Sequence, residues 1–165
     1  MRRSLFLLFL LLLSLNSCKF SGSNSKGYKE LEEGIIKIFD NKDGITDFSA
    51  AARKGNLEVY GIVTYYYGYS ALDFLEKNFK KSDGKAEYYY ASILISADTN
   101  EDNAKKLFEE AVKQGEYNAY YSLGTLYEND LDYSTAMNYY EKGREKGDMF
   151  SLYAYEYLKA NKNSI

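Results

Sequence analysis

The 165-residue chain has no histidine, no proline, no tryptophan and a single cysteine. Each absence removes a class of chemistry. Without histidine there is no Ser–His–Asp or Cys–His nucleophile pair, no imidazole acid or base and no His-ligated zinc. One cysteine makes neither an internal disulfide nor a CxxC redox or metal pair. A chain without proline and with 17% aromatic residues reads as packed helices rather than Pro-rich loops. What is present in excess is tyrosine, with 19 Tyr beside 9 Phe. At 45% hydrophobic and 27% charged, the composition is that of a globular protein. The length suits one domain with a short appendage.

The first residues read as an address. Met1-Arg2-Arg3 is a basic start, and Leu5 to Leu13 is an apolar run too short for a stable membrane span. Leu15-Asn16-Ser17-Cys18 resembles the bacterial lipoprotein signal, with an aliphatic residue at −3 and a small residue at −1 before the cysteine. Asn16 departs from the small or β-branched residue usual at −2. The resemblance implies that residues 1–17 are removed and that Cys18 becomes the acylated first residue. Several acyl chains on one residue hold a protein stably at a bilayer, whereas one does not. Residues 18–27 form the anchor and its tether, with Ser21-Gly22-Ser23-Asn24-Ser25 as flexible composition. With Lys19 after the cysteine, the resemblance implies an outer-membrane address in the bacterial envelope. Loss of residues 1–17 takes two arginines and no acid, so the formal charge of −3 falls by two to −5. An acidic chain without basic clusters argues against a nucleic-acid partner.

The remaining residues repeat. Gly115 and Gly147, Ala104 and Ala136, Phe108 and Tyr140, and Ala111 and Gly143 each stand 32 apart, as do Tyr89, Tyr121 and Tyr153 in sequence. Phe48, Ala51 and Gly55 have the spacing of Phe108, Ala111 and Gly115. Periods in the low thirties with helical patterning mark stacked helix pairs. Tyr120, Leu123, Gly124 and Tyr127 define one helix face at i, i+3, i+4 and i+7. Asn129 to Asp132 break it with turn residues, and Ala136, Tyr139, Tyr140 and Gly143 define a second face. Gly147 is placed to end that helix in a left-handed conformation.

These positions resemble the tetratricopeptide repeat. Tyr120, Leu123, Gly124, Tyr127, Ala136 and Tyr140 match its offsets, with Gly143 in place of the final Ala. The preceding unit keeps Tyr88, Ala104, Phe108 and Ala111 but has Ala91-Ser92 for Leu-Gly. Turns reading Lys54-Gly55-Asn56, Gln114-Gly115-Glu116 and Lys146-Gly147-Asp148 are similar to the Sel1-like branch, and both branches stay open. The resemblance implies an all-α solenoid of antiparallel helix pairs, about four pairs plus a capping helix, over residues 28–165, with the clearest repeats at 84–158. The expected helices are 28–39 with 47–54, 57–67 with 70–80, 86–97 with 103–113, 118–128 with 134–145, and a closing helix at 149–158. Glu156 and Lys159 on that last helix would form a polar outer cap.

Other patterns have simpler readings. Asp98, Asn100, Asp102 and Glu109 match part of a calcium-loop spacing, but Asn103 occupies the position that needs Gly. The repeat register makes this a loop with Asp102 or Asn103 capping a helix. Ser23-x-x-Lys26 and Ser82-x-x-Lys85 share the spacing of penicillin-interacting enzymes without the accompanying elements. Glu32-Glu33 and Glu109-Glu110 read as solvated helix faces rather than an acid/base pair. No metal and no cofactor is implied.

The tyrosines carry the functional expectation. In the repeat superfamily the first helix of each pair lines the concave face. That register puts Tyr89, Ile93, Tyr121, Thr125, Tyr153 and Tyr157 on the lining, with Asn118 and Glu128 beside them. Tyr88, Tyr120 and Tyr127 fall at positions that fill interhelical space. For the inward set, partner binding and simple packing both stand open. The sequence therefore reads as a lipid-anchored envelope protein, not an enzyme, whose repeat surface binds a protein or peptide partner. A glycan- or peptidoglycan-binding module is the alternative, and a carboxylate-only hydrolase a more remote one.

Overall fold

The computed structural model describes residues 26–161, and every regular element among them is helical. The expected signal peptide, Cys18 and nearly all of the tether lie outside the described residues. In chain order the helices are α1 (Tyr28–Phe39), α2 (Ile45–Arg53), α3 (Glu58–Tyr67), α4 (Leu72–Glu76) entered through a 3-10 turn at Gly68–Ala71, α5 (Lys85–Ser96), α6 (Glu101–Gln114), α7 (Ala119–Asn129), α8 (Tyr133–Glu145) and α9 (Met149–Asn161). The packing divides into two compact units, one ending at Val59 and the other beginning at Tyr60.

In the first unit α1 packs on α2 through Leu31, Gly34, Phe48, Ala51 and Ala52. Gly34 is required by contact: a Cβ there would stand 2.5 Å from Cε1 of Phe48. Ion pairs of 2.6 Å, Lys37 to Asp47 and Lys54 to Glu30, join the two helices at their polar edges. With their lysines half in solvent, such pairs contribute little, so the apolar seam dominates.

In the second unit, from α4 onward, each helix packs on the next in sequence. One core joins Ala91, Leu94, Ala104, Phe108, Ala111, Ala119, Leu123 and Leu126 from α5, α6 and α7. Another joins Ala136, Tyr140 and Leu158 from α8 and α9, flanked by Tyr127, Met137 and Tyr155. Burying a side chain the size of Leu123 or Phe108 contributes about 1.5–3 kcal/mol. Gly124 lies against the ring of buried Tyr140, as Gly34 does against Phe48.

One turn chemistry recurs in both units. Gly55, Gly115 and Gly147 hold φ of +84°, +107° and +86°, a region in which glycine pays no Cβ penalty. Each is followed by a reverse hydrogen bond that closes the helix: Asn56 N–H to the Ala51 carbonyl (3.1 Å), Glu116 N–H to Ala111 (3.0 Å) and Asp148 N–H to Gly143 (3.0 Å). The side chains of the same three residues then accept from Glu58, Asn118 and Phe150 N–H at 3.1–3.2 Å, starting the next helix.

Two sequence expectations are corrected. The helix expected over 70–80 is only the 3-10 turn and α4, because Asn78 Nδ2 donates to the Phe74 carbonyl at 2.7 Å. That side chain takes an acceptor the helix would need to continue, and the backbone shifts to Asn78–Leu75 and Phe79–Glu76 bonds. The cap of α6 is Asn100 rather than Asp102 or Asn103. Its side chain accepts from Asn103 N–H at 3.2 Å while its own backbone is left-handed at φ +46°. On α9 the expected Glu156 and Lys159 lie on one side and exposed rings on another. Glu156 meets Arg144 at 3.7 Å and Lys159 covers the Tyr155 ring, yet Phe150, Tyr153 and Tyr157 are 68%, 67% and 63% exposed.

Candidate functional groove on the second unit

α7 places Tyr121, Thr125 and Glu128 on one face at i, i+4 and i+7. α9 places Phe150, Tyr153 and Tyr157 on another at i, i+3 and i+7. Both faces line one open groove of about 430 Å³, joined by Asn129, Tyr140 and Ala154. The small side chain of Ala154 leaves room between the tyrosines of α9.

Tyr140 forms the floor. Its ring is 5.9 Å from Tyr121, and Tyr121 is in turn 5.6 Å from Phe150. The Tyr140 hydroxyl donates to Glu128 Oε2 at 2.7 Å and is 3.3 Å from Thr125 Oγ1. The Thr125 hydroxyl itself donates to the Tyr121 carbonyl at 3.0 Å. Burial, reinforced by the neighbouring Glu128 carboxylate, pushes the Tyr140 phenol well above its ordinary value. Tyr140 therefore keeps its proton and remains a donor to Glu128. Among the described residues Glu128 makes no ion pair.

Five of the eight residues singled out from sequence thus meet in the groove: Tyr121, Thr125, Glu128, Tyr153 and Tyr157. Three do not. Tyr89 turns toward α3, where its hydroxyl occupies the space a Cβ on Gly61 would need, and its ring meets Tyr88 at 5.2 Å. Ile93 is buried at the edge of a second cavity of about 330 Å³ with Thr64, Tyr69 and Ser96. Asn118 bonds through both N–H and Nδ2 to Glu116 Oε1, at 3.2 and 2.7 Å, and so finishes the α7 start. The groove also takes Tyr140 and Phe150, which the sequence does not single out as lining. Phe150 stands 32 residues after Asn118, so the repeat register pointed to its position. Nothing in the pattern distinguished Tyr140 from an ordinary core aromatic.

The expected fillers do fill. The Tyr88 ring is 5.7 Å from Phe108, Tyr120 backs Gly143, and Tyr127 stacks on Tyr139 at 5.4 Å. The Ser82–Lys85 spacing is also accounted for by packing. Ser82 Oγ accepts from Ala86 N–H and donates to buried Glu87, while Lys85 reaches Glu116 at 2.8 Å. Among the described residues no group of three acidic or thiol side chains is arranged to hold a metal ion. No helix among them is long and apolar enough to cross a membrane. No protein-family model, curated protein or solved structure matches this chain.

Proposed function

We propose that the protein is a helical-repeat interaction protein of the bacterial envelope, anchored by lipid at Cys18, whose α7–α9 groove binds a segment of a partner polypeptide. The observation that carries this reading is the convergence of exposed rings from α7 and α9 on one cavity. Isolated exposed aromatics are ordinary on a protein surface, but a contiguous set around a groove marks an interaction site. Each ring offers a large contact area at low entropic cost, with hydroxyls to orient a bound chain.

The repeat assignment is supported by packing that recurs at related positions: Gly34 under Phe48, Gly124 under Tyr140, and the Gly55, Gly115 and Gly147 turns. In this reading α5–α6 and α7–α8 are helix pairs of the tetratricopeptide or Sel1-like kind, α9 closes the stack, and α1–α2 is a further copy. The anchor is supported by Leu15-Asn16-Ser17-Cys18 after a basic start and an apolar run. Lipid then fixes location and the groove selects the partner.

A photo-crosslinking residue in place of Tyr157, in cells, tests the groove. A discrete adduct that disappears when Tyr121 and Tyr153 are also replaced by Ala is expected; an adduct indifferent to those changes would refute binding there. Retention on peptidoglycan, lost in the same variant, would assign the groove to a glycan instead. For the anchor, palmitate should label the protein and Cys18→Ser should abolish labelling. Unlabelled, water-soluble wild-type protein would remove the lipid reading.

A further inference from the structure

We infer that the groove recognises a cationic side chain, the guanidinium of Arg or the ammonium of Lys, presented by the bound polypeptide. This deepens the proposed function and rests on its reading of the groove as a polypeptide site.

The chain covers several of its own tyrosines with cations. Lys105, Lys142, Arg144 and Lys146 stand over Tyr127, Tyr139, Tyr155 and Tyr117, at 5.2, 5.4, 4.4 and 5.1 Å from the ring centres. Among the described residues no such cation covers Tyr121, Tyr140, Phe150, Tyr153 or Tyr157. The groove is therefore a cluster of aromatic faces without a cation of its own.

It also holds a carboxylate. Glu128 Oε2 accepts the Tyr140 proton at 2.7 Å, which fixes the side chain in the wall of the cavity, and Glu128 has no ion-pair partner among the described residues. No lysine or arginine lines the groove to compensate it. Aromatic faces present negative potential, and a carboxylate adds a full charge, so both favour a cation at the same place. The pattern disfavours the other ligand classes. An anion would meet Glu128 with no basic side chain to offset it. A metal ion would find one carboxylate where several oxygen donors are needed. A neutral chain would stack on the rings but leave the carboxylate uncompensated. The acidic chain as a whole, at −3, steers the approach of a basic partner in the same sense.

Selection of random displayed peptides on the full chain in detergent tests this. Wild-type protein should enrich Arg or Lys at one fixed position. In fluorescence anisotropy with a selected peptide, replacing that Arg by citrulline or that Lys by norleucine should weaken binding about tenfold, as should Glu128→Gln. The glutamine retains an acceptor for the Tyr140 hydroxyl, so an unchanged melting temperature shows that the loss is not misfolding. Tetramethylammonium should compete with the wild type and lose that effect in Tyr153→Ala. Peptides that need Tyr153 and Tyr157 but carry no basic residue, and bind Glu128→Gln normally, would overturn the cation assignment and leave the polypeptide groove intact. Peptides indifferent to Tyr153 and Tyr157 would overturn both. Capture of phosphatidylcholine vesicles in place of any peptide would also overturn the polypeptide occupant.

Discussion

Replacing Gly124 by Ala adds one methyl group at the centre of the α7–α8 contact. In an open helix this change stabilises, because Ala is favoured over Gly by about 1 kcal/mol. Here the new Cβ would stand 2.5 Å from Cδ1 and 2.8 Å from Cζ of Tyr140, well inside van der Waals contact. The ring has little room to retreat, being 1% exposed and bonded through its hydroxyl to Glu128 at 2.7 Å. Overpacking of this kind costs about 1–3 kcal/mol, and loss of the buried hydroxyl bond adds about 1–2 kcal/mol. After the helix gain is subtracted, the net expectation is destabilisation of about 1–4 kcal/mol. For a chain of this size that lowers the melting temperature by roughly 2–4 °C per kcal/mol. Urea unfolding followed by circular dichroism measures the change. The double variant Gly124→Ala with Tyr140→Leu should lose less stability than the sum of the two single losses, since the two sites touch. A Gly124→Ala variant as stable as the wild type, or more so, would refute the packing argument.

Further outcomes follow from other contacts. Tyr153→Ala with Tyr157→Ala removes rings that are 67% and 63% exposed, so melting should move by less than about 2 °C while binding of a selected peptide, read by fluorescence anisotropy, weakens about tenfold or more. Glu87 is 2% exposed and accepts from Lys80 N–H at 2.6 Å, Gln114 Nε2 at 2.8 Å and Ser82 Oγ at 3.3 Å. Glu87→Ala orphans these donors and should cost about 1–3 kcal/mol in urea unfolding. Asp132 caps α8 by accepting from the Thr135 hydroxyl and from Thr135 N–H at 3.1 Å, which together hold its carboxyl below the ordinary 3.8. Its contribution is complete above that value and is lost as pH falls through the lowered one. Thermal melts should therefore show Asp132→Asn gaining on the wild type as the solution is acidified, and a pH-independent difference would contradict the cap.

Most helix positions were legible in the sequence because periodicity and glycine turns are local signals. The helix over 28–39 coincides with α1, and Gly55, Gly115 and Gly147 end helices where their spacing placed them. The failure at 70–80 came from a side chain: Asn78 bonds the backbone, which no periodicity records. The groove was partly legible for a related reason. Repeat register treats Tyr89 and Tyr121 as equivalents, but their neighbours differ. Tyr89 finds the bare backbone of Gly61 and packs there, whereas Tyr121 meets Tyr140 and Phe150 and stays 37% exposed. The repeat pattern places Tyr140 in the core but not at the groove, because its two roles, buried ring and polar tip, separate only in its hydroxyl bond to Glu128. Register gives position in a repeat; the opposing surface decides use.

The packing of the second unit between sequence neighbours has a kinetic consequence. Contacts of short sequence separation close small loops, so such a unit folds quickly and opens piecewise from its ends. α9 is the last helix of that series and leans on α8, with only a lesser contact to α7. It also carries half of the groove wall. A ligand spanning α7 and α9 would clamp this end shut, so occupancy of the groove should slow amide exchange along α9 more than anywhere else in the unit.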